Sequence, residues 1–462
     1  MISRPNPCEP LGGAKEEKST VTSTTFGAVT EWSLPNPARW PNSLTVAPDG
    51  SIWFGEQSVP GVGHLFPNGS LVEYAWPWSG TQDTLQGCGY KTGIWGIVLW
   101  NGMVWASSFD SNQIIGLDPA SDSTVVLGAN SPGNLTIGPD GALWFTEQTF
   151  NHAVIGRISQ GLDVSTYKLL NYTEYIPQEI SFVNSSYAYF VALNPTKNYV
   201  SGLFSFDPDN VSGGIEPTLV SSGVDLVATT SISEGDNVLW IAQHEISQLT
   251  GYNITTGTFT EYPTSVDNFT SQSTTLPYFV SANGSEVWFS EHYANQIALL
   301  NVKQDSLTEY SEANPPVYNL SLIGNDETIG QSKSGLWFAS ISSNYLGYVN
   351  ASYSPGYTVS VVGGDSVSLR AGANATLQFV VNGTWSNPLR VQYSDSEDAT
   401  SVPAKVSISP SVQQFNAGHG PVTFTVRIAV ESDITPGEYT ILITLNGGLI
   451  SRSTYLFLTI TG

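Results

Sequence analysis

The sequence predicts an all-β protein in which a seven-bladed β-propeller precedes a C-terminal immunoglobulin-like β-sandwich. Three observations predict it: an aromatic strand pattern recurs seven times, an unpaired outer-strand pattern stands near the N-terminus, and the pattern changes after residue 352. A chain of 462 residues exceeds one ordinary core. We therefore predict an N-terminal tail over residues 1–26, the propeller over 27–352 and the sandwich over 353–462.

The recurring pattern is a short apolar strand with an aromatic residue at its centre. Neighbouring copies are 39 to 52 residues apart, which is a spacing typical of four-stranded propeller blades. A hairpin turn such as Asp140-Gly141 precedes the strand, since Asp-Gly and Asn-Gly supply the positive φ of tight turns. The seven central residues are Trp53, Trp105, Trp144, Tyr189, Trp240, Trp288 and Trp337.

The two ends of the repeat predict how the propeller closes. Thr-Glu-Trp at 30–32 matches the outer strands that read Thr-Glu-Tyr at 260–262 and 308–310, but no blade precedes it. The seventh copy stops after residues 346–349 without an outer strand of its own. We therefore predict that residues 27–34 complete blade seven, which removes sheet edges that would invite aggregation.

A different alternation of apolar and polar residues begins at about residue 354. It is clear over 376–380 and 423–428, and a Pro-Gly turn at 436–437 leads into further apolar strands. A segment of about 100 residues with about seven such strands is typical of an immunoglobulin-like sandwich.

The charge of the chain excludes two classes of partner. The formal net charge is −24, because 39 Asp and Glu are set against only 15 Lys and Arg. A basic nucleic-acid-binding face is therefore excluded, and so is a polybasic patch for membranes. Charged residues make up 12% of the chain, about half the usual share, so Ser, Thr, Asn, Gln and Tyr must cover the surface.

Twelve Asn-X-Ser/Thr sequons suggest N-glycosylation and hence an extracellular, cell-surface location. A Ser-, Thr- and Asn-rich surface that makes sequons incidentally is the alternative. No apolar signal-peptide stretch follows Met1 and no run of about 18 apolar residues is present, so we expect export and anchor segments to be removed or to lie outside this chain. The sequons are at Asn68, Asn134, Asn171, Asn184, Asn210, Asn253, Asn268, Asn283, Asn319, Asn350, Asn374 and Asn382.

The chain has two cysteines, Cys8 and Cys88. In an exported protein they would form one disulfide that pins the N-terminal tail to the propeller. Two unpaired thiols are the alternative interpretation.

The third repeat and the strands that match it carry a family resemblance. Residues 138–147 read Gly-Pro-Asp-Gly-Ala-Leu-Trp-Phe-Thr-Glu, and similar segments are Trp-Phe-Gly-Glu at 53–56 and Trp-Phe-Ser-Glu at 288–291. Over about residues 27–352 the chain resembles the streptogramin B lyases, which are virginiamycin B lyase-like propellers. The resemblance implies the propeller fold and an enzyme that opens an antibiotic lactone by β-elimination, with His residues, a Glu and a magnesium ion.

The residues that would catalyse that reaction depart from the family pattern. The lyases carry His in Pro-His segments where the first strands of the last blades begin, but this chain reads Pro-Tyr at 277–278 and Pro-Val at 316–317. The late Glu of the family falls at about Ser340. A general base needs a titratable group with a usable pKa, which Tyr318 or Asn319 does not supply. We therefore predict no catalytic residues of the lyase type.

A binding site remains possible on the mouth face, where loops leave the aromatic strands and enter the first strands of the blades. Glu and His residues there could hold a divalent cation such as Mg²⁺ or Ca²⁺. The alternative is that the recurring Glu bonds to blade backbone and that the His are ordinary loop residues. The candidates are Glu56, Glu147, Gln243, His244, Glu245, Glu291, His292 and Tyr293.

These features predict a binding or structural protein of the cell surface, such as a coat or adhesion module, with other surface proteins or glycans as partners. The alternative is a streptogramin-lyase-like or lactonase-like enzyme with a divalent metal at the propeller mouth. The fold alone does not decide between them, because propellers host both kinds of function.

Overall fold

The computed structural model describes the chain with eleven internal gaps. The ranges are 16–35, 40–56, 61–75, 94–183, 187–265, 275–312, 329–332, 335–340, 344–353, 356–395, 405–410 and 413–462. Several predictions lie outside them: the disulfide between Cys8 and Cys88, the sequons at Asn184, Asn268 and Asn319, and the Pro-Val segment at 316–317. Contacts divide the chain into two compact units, Met1–Ile232 with Asn314–Asn350, and Ser233–Ala313 with Ala351–Gly462.

Strands dominate the described residues. In chain order the first half are β1 (Glu16–Thr20), β2 (Ser23–Phe26), β3 (Val29–Ser33), β4 (Pro41–Val46), β5 (Ile52–Glu56), β6 (Gly61–Leu65), β7 (Ser70–Ala75), β8 (Ile94–Trp100), β9 (Met103–Ser108), β10 (Gln113–Asp118), β11 (Ser123–Gly128), β12 (Pro132–Ile137), β13 (Leu143–Glu147), β14 (Val154–Ile158), β15 (Val164–Lys168), β16 (Ile176–Phe182), β17 (Ala188–Asn194), β18 (Val200–Phe206), β19 (Thr218–Val227) and β20 (Thr229–Gly235).

The second half are β21 (Val238–Gln243), β22 (Gln248–Asn253), β23 (Phe259–Pro263), β24 (Pro277–Asn283), β25 (Glu286–Glu291), β26 (Gln296–Asn301), β27 (Ser306–Ser311), β28 (Ile329–Ser332), β29 (Gly335–Ser340), β30 (Tyr345–Asn350), β31 (Tyr357–Val361), β32 (Ser366–Arg370), β33 (Asn374–Trp385), β34 (Leu389–Asp395), β35 (Val406–Ser409), β36 (Gln413–Phe415), β37 (Gly418–His419), β38 (Val422–Val430), β39 (Gly437–Asn446) and β40 (Ile450–Thr461). Short 3₁₀ helices occupy Pro195–Lys197, His244–Ile246 and Val302–Gln304. Over the described ranges no helix has the length and apolar character that a membrane crossing requires.

The propeller prediction is confirmed by seven antiparallel sheets with blade topology among the described strands. In the first unit the blades are β4 to β7, β8 to β11, β12 to β15, β16 to β19, and β28 to β30 with β3. The other two blades are β20 to β23 and β24 to β27, whose residues from Ser233 onward lie in the second unit. Each of the seven predicted aromatic residues lies in the second strand of its blade, as the repeat requires.

The predicted outer strand of blade seven is confirmed within the first unit. β3 pairs antiparallel with β30, with Val29 opposite Val349 and Ser33 opposite Tyr345. The rings of Trp32 and Trp337 lie 4.7 Å apart across this sheet. Two added strands were not predicted: β2 pairs with the outer side of β3, and β1 pairs with β7 of blade one.

The glycine of the third strand makes room for the aromatic ring of the second strand. Gly156 stands opposite Phe145, and a Cβ on this glycine would lie 2.0 Å from Cζ of that ring. The same approach of ring to backbone recurs at Gly63 and Gly347. Glycine at these three positions therefore makes room for the ring, because a side chain there would collide with it.

The C-terminal strands of the second unit form a β-sandwich. One sheet has the order β31-β33-β38-β35 and the other contains β40-β39-β34-β36, with β32 parallel to β40. Between them, Phe379 and Phe424 stack at 5.2 Å in one core that also contains Ile441 and Leu456. The assignment of this sandwich to the immunoglobulin topology stays a prediction.

Blade six and the sandwich share a sheet inside the second unit. β40 pairs with β27, the outer strand of blade six, from Ser306 opposite Thr454 to Tyr310 opposite Ile450. Arg452 Nη1 donates to Thr308 Oγ1 at 2.8 Å within this pairing. The boundary predicted between residues 352 and 353 therefore separates strands that belong to one sheet.

Candidate functional site

The first strands of three blades begin with a proline, after which the strand bulges. Pro41, Pro132 and Pro277 lie opposite the last residue of the second strand, and the register then shifts within three residues. Proline is tolerated at the first position of a strand, and a bulge re-aims the side chains that follow. The residues opposite these prolines are the candidate carboxylates Glu56, Glu147 and Glu291.

The contacts of Glu147 follow from this recurring arrangement. The side chain is 3% exposed, its Oε1 accepts from the backbone N–H of Asn130 at 2.8 Å, and its Oε2 lies 2.9 Å from His152 Nε2. This carboxylate therefore holds the loop that precedes blade three. The interpretation that the recurring Glu bonds to blade backbone is the one these contacts support.

The other candidates on these strands are also buried. Glu56 and Glu291 are fully buried, and a Cβ on Gly61 would lie 2.4 Å from Oε2 of Glu56. Gln243 is equally buried and its Nε2 donates to Thr250 Oγ1. These three side chains therefore expose almost no surface in the described structure.

Three rings of blades five and six form what we call the imidazole–tyrosine cluster: His244, Tyr278 and His292. His244 directly follows β21, His292 directly follows β25, and Tyr278 is the second residue of β24. The two Nε2 atoms lie 2.7 Å apart. The ring of Tyr278 stacks on His292 at 5.2 Å and 17°, and meets His244 edge-on at 5.6 Å.

Hydrogen bonding assigns the tautomers of the two imidazoles. His244 Nδ1 donates to Glu245 Oε1 at 3.3 Å, so its Nε2 carries a lone pair. His292 Nε2–H then donates to that lone pair. Of the remaining candidates, Glu245 is exposed and Tyr293 is partly buried at the start of the loop after β25. The two His therefore contact one another, and their role as binding residues stays a prediction.

The structure adds one candidate that the sequence did not single out, Glu179 on the bulge of β16. Its carboxylate accepts from Asn134 Nδ2 at 2.7 Å, from the Ile232 backbone N–H at 3.0 Å and from the Ser231 hydroxyl. Burial raises the pKa of Glu179 to about 7, against the opposing effect of these three bonds. The Pro-Gln-Glu at 177–179, near the start of β16, was the available signal, because it matches the Pro-Gly-Asn that opens β12.

We predict that Glu179→Gln changes how stability depends on pH. An unfolded Glu titrates near pH 4.3, so between about pH 4.5 and 7 the folded chain binds more protons than the unfolded chain. The contribution of Glu179 to the free energy of unfolding therefore falls as the pH rises through this window. The Gln side chain cannot ionise. The free energy of unfolding of the variant should therefore exceed that of the natural chain by about 1–3 kcal/mol at pH 8 and differ little from it at pH 4.

Urea unfolding at pH 4, 6 and 8 measures this difference. Glu216→Gln at an exposed position is the matched control and should track the natural chain. Equal pH slopes for the natural chain and Glu179→Gln would contradict the raised pKa.

The described residues do not fit the magnesium site that the family resemblance implies. Among them, no group of three or more His, Cys, Asp or Glu side chains is arranged to hold a metal ion. Mg²⁺ prefers oxygen ligands, whereas β24 presents Tyr278 beside two imidazoles, and Ser340 at the end of β29 is fully buried. The positions at which the sequence departs from the lyase pattern therefore also present side chains of different chemistry.

Solved structures similar to this chain agree with the propeller fold. No protein-family model matches the chain, and no curated protein matches it. Virginiamycin B lyase from Staphylococcus aureus is similar in structure, with 20% identity over 70% of this chain and 98% of that chain, at a TM-score of 0.54. A catalytically inactive His-to-Ala form of that enzyme with quinupristin has 20% identity over 70% of this chain and 98% of that chain, at a TM-score of 0.53. A streptogramin B lyase has 21% identity over 70% of this chain and 97% of that chain, at a TM-score of 0.54. At these identities the similarity shows the propeller fold.

Proposed function

We propose that this chain is an extracellular, glycosylated protein of the cell surface whose propeller binds a polar ligand at the imidazole–tyrosine cluster. The observation behind this proposal is that Tyr278, which replaces the His of the lyases, packs with His244 and His292. His244 and Tyr278 are partly exposed, so the cluster offers ring surface to a ligand, and its chemistry favours binding over β-elimination.

The chemistry of the cluster favours an uncharged, hydroxyl-rich ligand such as a glycan. Tyrosine has an apolar ring and a polar hydroxyl, so it suits a binding surface at which the ring packs on the protein and the hydroxyl meets water or ligand. Neutral imidazole both donates and accepts, so it pairs with hydroxyl groups of either role. A low charged fraction of 12% also suits contacts with neutral sugars.

The extracellular part of the proposal draws support from the positions of the sequons. Asparagines must be exposed to accept a glycan, and seven of the described sequons meet this condition. They are Asn68, Asn171, Asn210, Asn283, Asn350, Asn374 and Asn382. Asn134 is different, because its Nδ2 already donates to Glu179 and a glycan would need that nitrogen; we expect it to stay unmodified.

Two measurements test the proposal on natively purified protein. Intact mass should fall when N-glycans are removed, and an unchanged mass would overturn the glycoprotein assignment. On an array of glycans, His292→Ala and Tyr278→Ala should lose the signal of the natural chain. His152→Ala, which alters an imidazole elsewhere, should keep it. Glycan binding that survives both cluster variants would overturn the proposed site.

An enzyme is the second candidate, and Glu179 is the observation that favours it. A carboxyl with a pKa near 7 is suited to general acid–base catalysis at neutral pH. If the chain opens lactones, Glu179→Gln should abolish lactone opening while the imidazole–tyrosine variants leave it unchanged. Undiminished activity in Glu179→Gln would exclude this role.

A further inference from the structure

We propose that His244 and His292 together bind one transition-metal ion of the Zn²⁺, Ni²⁺ or Cu²⁺ class through their Nε2 atoms. The inference rests on the proposed binding function and deepens it, because the ion would lie where the ligand is expected. It differs from the Mg²⁺ or Ca²⁺ predicted from the carboxylates, which are buried separately at the blade ends.

The distance between the two nitrogens fits this proposal. The Nε2 atoms face one another at 2.7 Å. Imidazole nitrogens bind Zn²⁺ at about 2.0–2.1 Å, so two of them on one tetrahedral ion lie roughly 3.3 Å apart. The pair therefore needs to open by about 0.6 Å and to turn so that both lone pairs point at one ion. The side chain of His244, which is 18% exposed, is the one nearer the surface.

Neighbouring groups hold both imidazoles in place, and binding an ion would move the His292 proton from Nε2 to Nδ1. Glu245 Oε1 accepts from His244 Nδ1 at 3.3 Å, which is the carboxylate–histidine arrangement that fixes a ligating tautomer. The stacked ring of Tyr278 holds the plane of His292. His292 is 4% exposed, so its position is set by packing before any ion arrives.

The donor set selects the class of ion. Imidazole suits Zn²⁺, Ni²⁺ and Cu²⁺, whereas Mg²⁺ and Ca²⁺ need oxygen ligands. Two imidazoles leave coordination positions for water or for a hydroxyl of the ligand, in the manner of an open site. The competing explanation is a pair joined only by an N–H···N hydrogen bond, which would bind no ion.

Calorimetric titration of the full, tag-free chain with ZnCl₂, NiSO₄ and CuSO₄, after treatment with EDTA, tests the proposal. We expect one ion per chain, with His244→Ala and His292→Ala each weakening binding by about tenfold or more. His152→Ala is the matched control and should bind as the natural chain does, with thermal melts showing that all three variants are folded. Absence of binding, or binding that both cluster variants retain, would overturn the proposal.

Glycan binding measured with and without EDTA separates this inference from the proposed function. Metal binding that depends on both His, with no glycan bound, would overturn the function and leave the metal site. Glycan binding that is lost in the variants but unaffected by EDTA, in a chain that takes up no ion, would overturn only the metal site. Loss of glycan binding in EDTA and its recovery with Zn²⁺ is the result we expect.

Discussion

Thr30→Pro should lower the free energy of unfolding on the order of 3 kcal/mol, because it places proline in the strand that completes blade seven. Thr30 lies opposite Tyr348 on β30 and opposite Thr25 on β2. β3 is thus paired on both sides, and its backbone donors face a neighbouring strand. Proline removes one donor and its ring collides with the adjacent chain.

Urea unfolding followed by tryptophan fluorescence measures this effect, since Trp32 and Trp337 meet across the same sheet. Thr30→Val is the matched control: it keeps the backbone N–H and a β-branched side chain, so its midpoint should stay near that of the natural chain. Equal midpoints for the proline and valine variants would mean that β3 is dispensable.

The blades could be predicted because their signals are local. Each aromatic strand follows a turn whose residues dictate its geometry, and the spacing repeats. The pairing of β3 with β30 spans most of the chain, but it was still predictable because an outer strand was missing after 346–349 and one was in excess at 30–32.

The pairing of β40 with β27 had no such signal. Both strands alternate like any half-buried strand, and the sequence does not say which edge of a propeller an additional strand will cover. β1 and β2 were missed for the same reason, since each adds to a blade that already has its four strands. Edge pairing is decided by tertiary packing, and a single sequence does not record it.

The candidate site was predicted in part. His244 and His292 each stand four residues after the aromatic residue of their repeats, Trp240 and Trp288. Equivalent positions of adjacent blades are neighbours, so the repeat alone could have predicted that the two imidazoles meet. Glu179 was missed because it lies at a bulge, which changes the face to which a side chain points. The alternation of apolar and polar residues in the sequence does not reveal such a change.

Tyr455→Ala is expected to have the largest effect on stability, about 3–5 kcal/mol. Tyr455 lies on β40 and is 1% exposed. Its ring meets that of Tyr262 at 5.3 Å and 90°, and its Oη donates to the Pro263 carbonyl at 3.1 Å. The same core contains Trp240 and Leu442, so one residue of the sandwich fills the space beside blades five and six.

Tyr455→Phe separates packing from hydrogen bonding in this contact. It keeps the ring and loses only the bond to Pro263, so we expect a cost of about 1 kcal/mol. Denaturant unfolding of both variants should therefore give losses that differ by about 2–4 kcal/mol. If the sandwich did not pack on blades five and six, both substitutions would leave the unfolding transition of those blades unmoved. A continuous sheet requires that Tyr455→Ala lowers the unfolding midpoint of the blades and of the sandwich together. Removing the ring takes packing from strands on both sides of the predicted domain boundary.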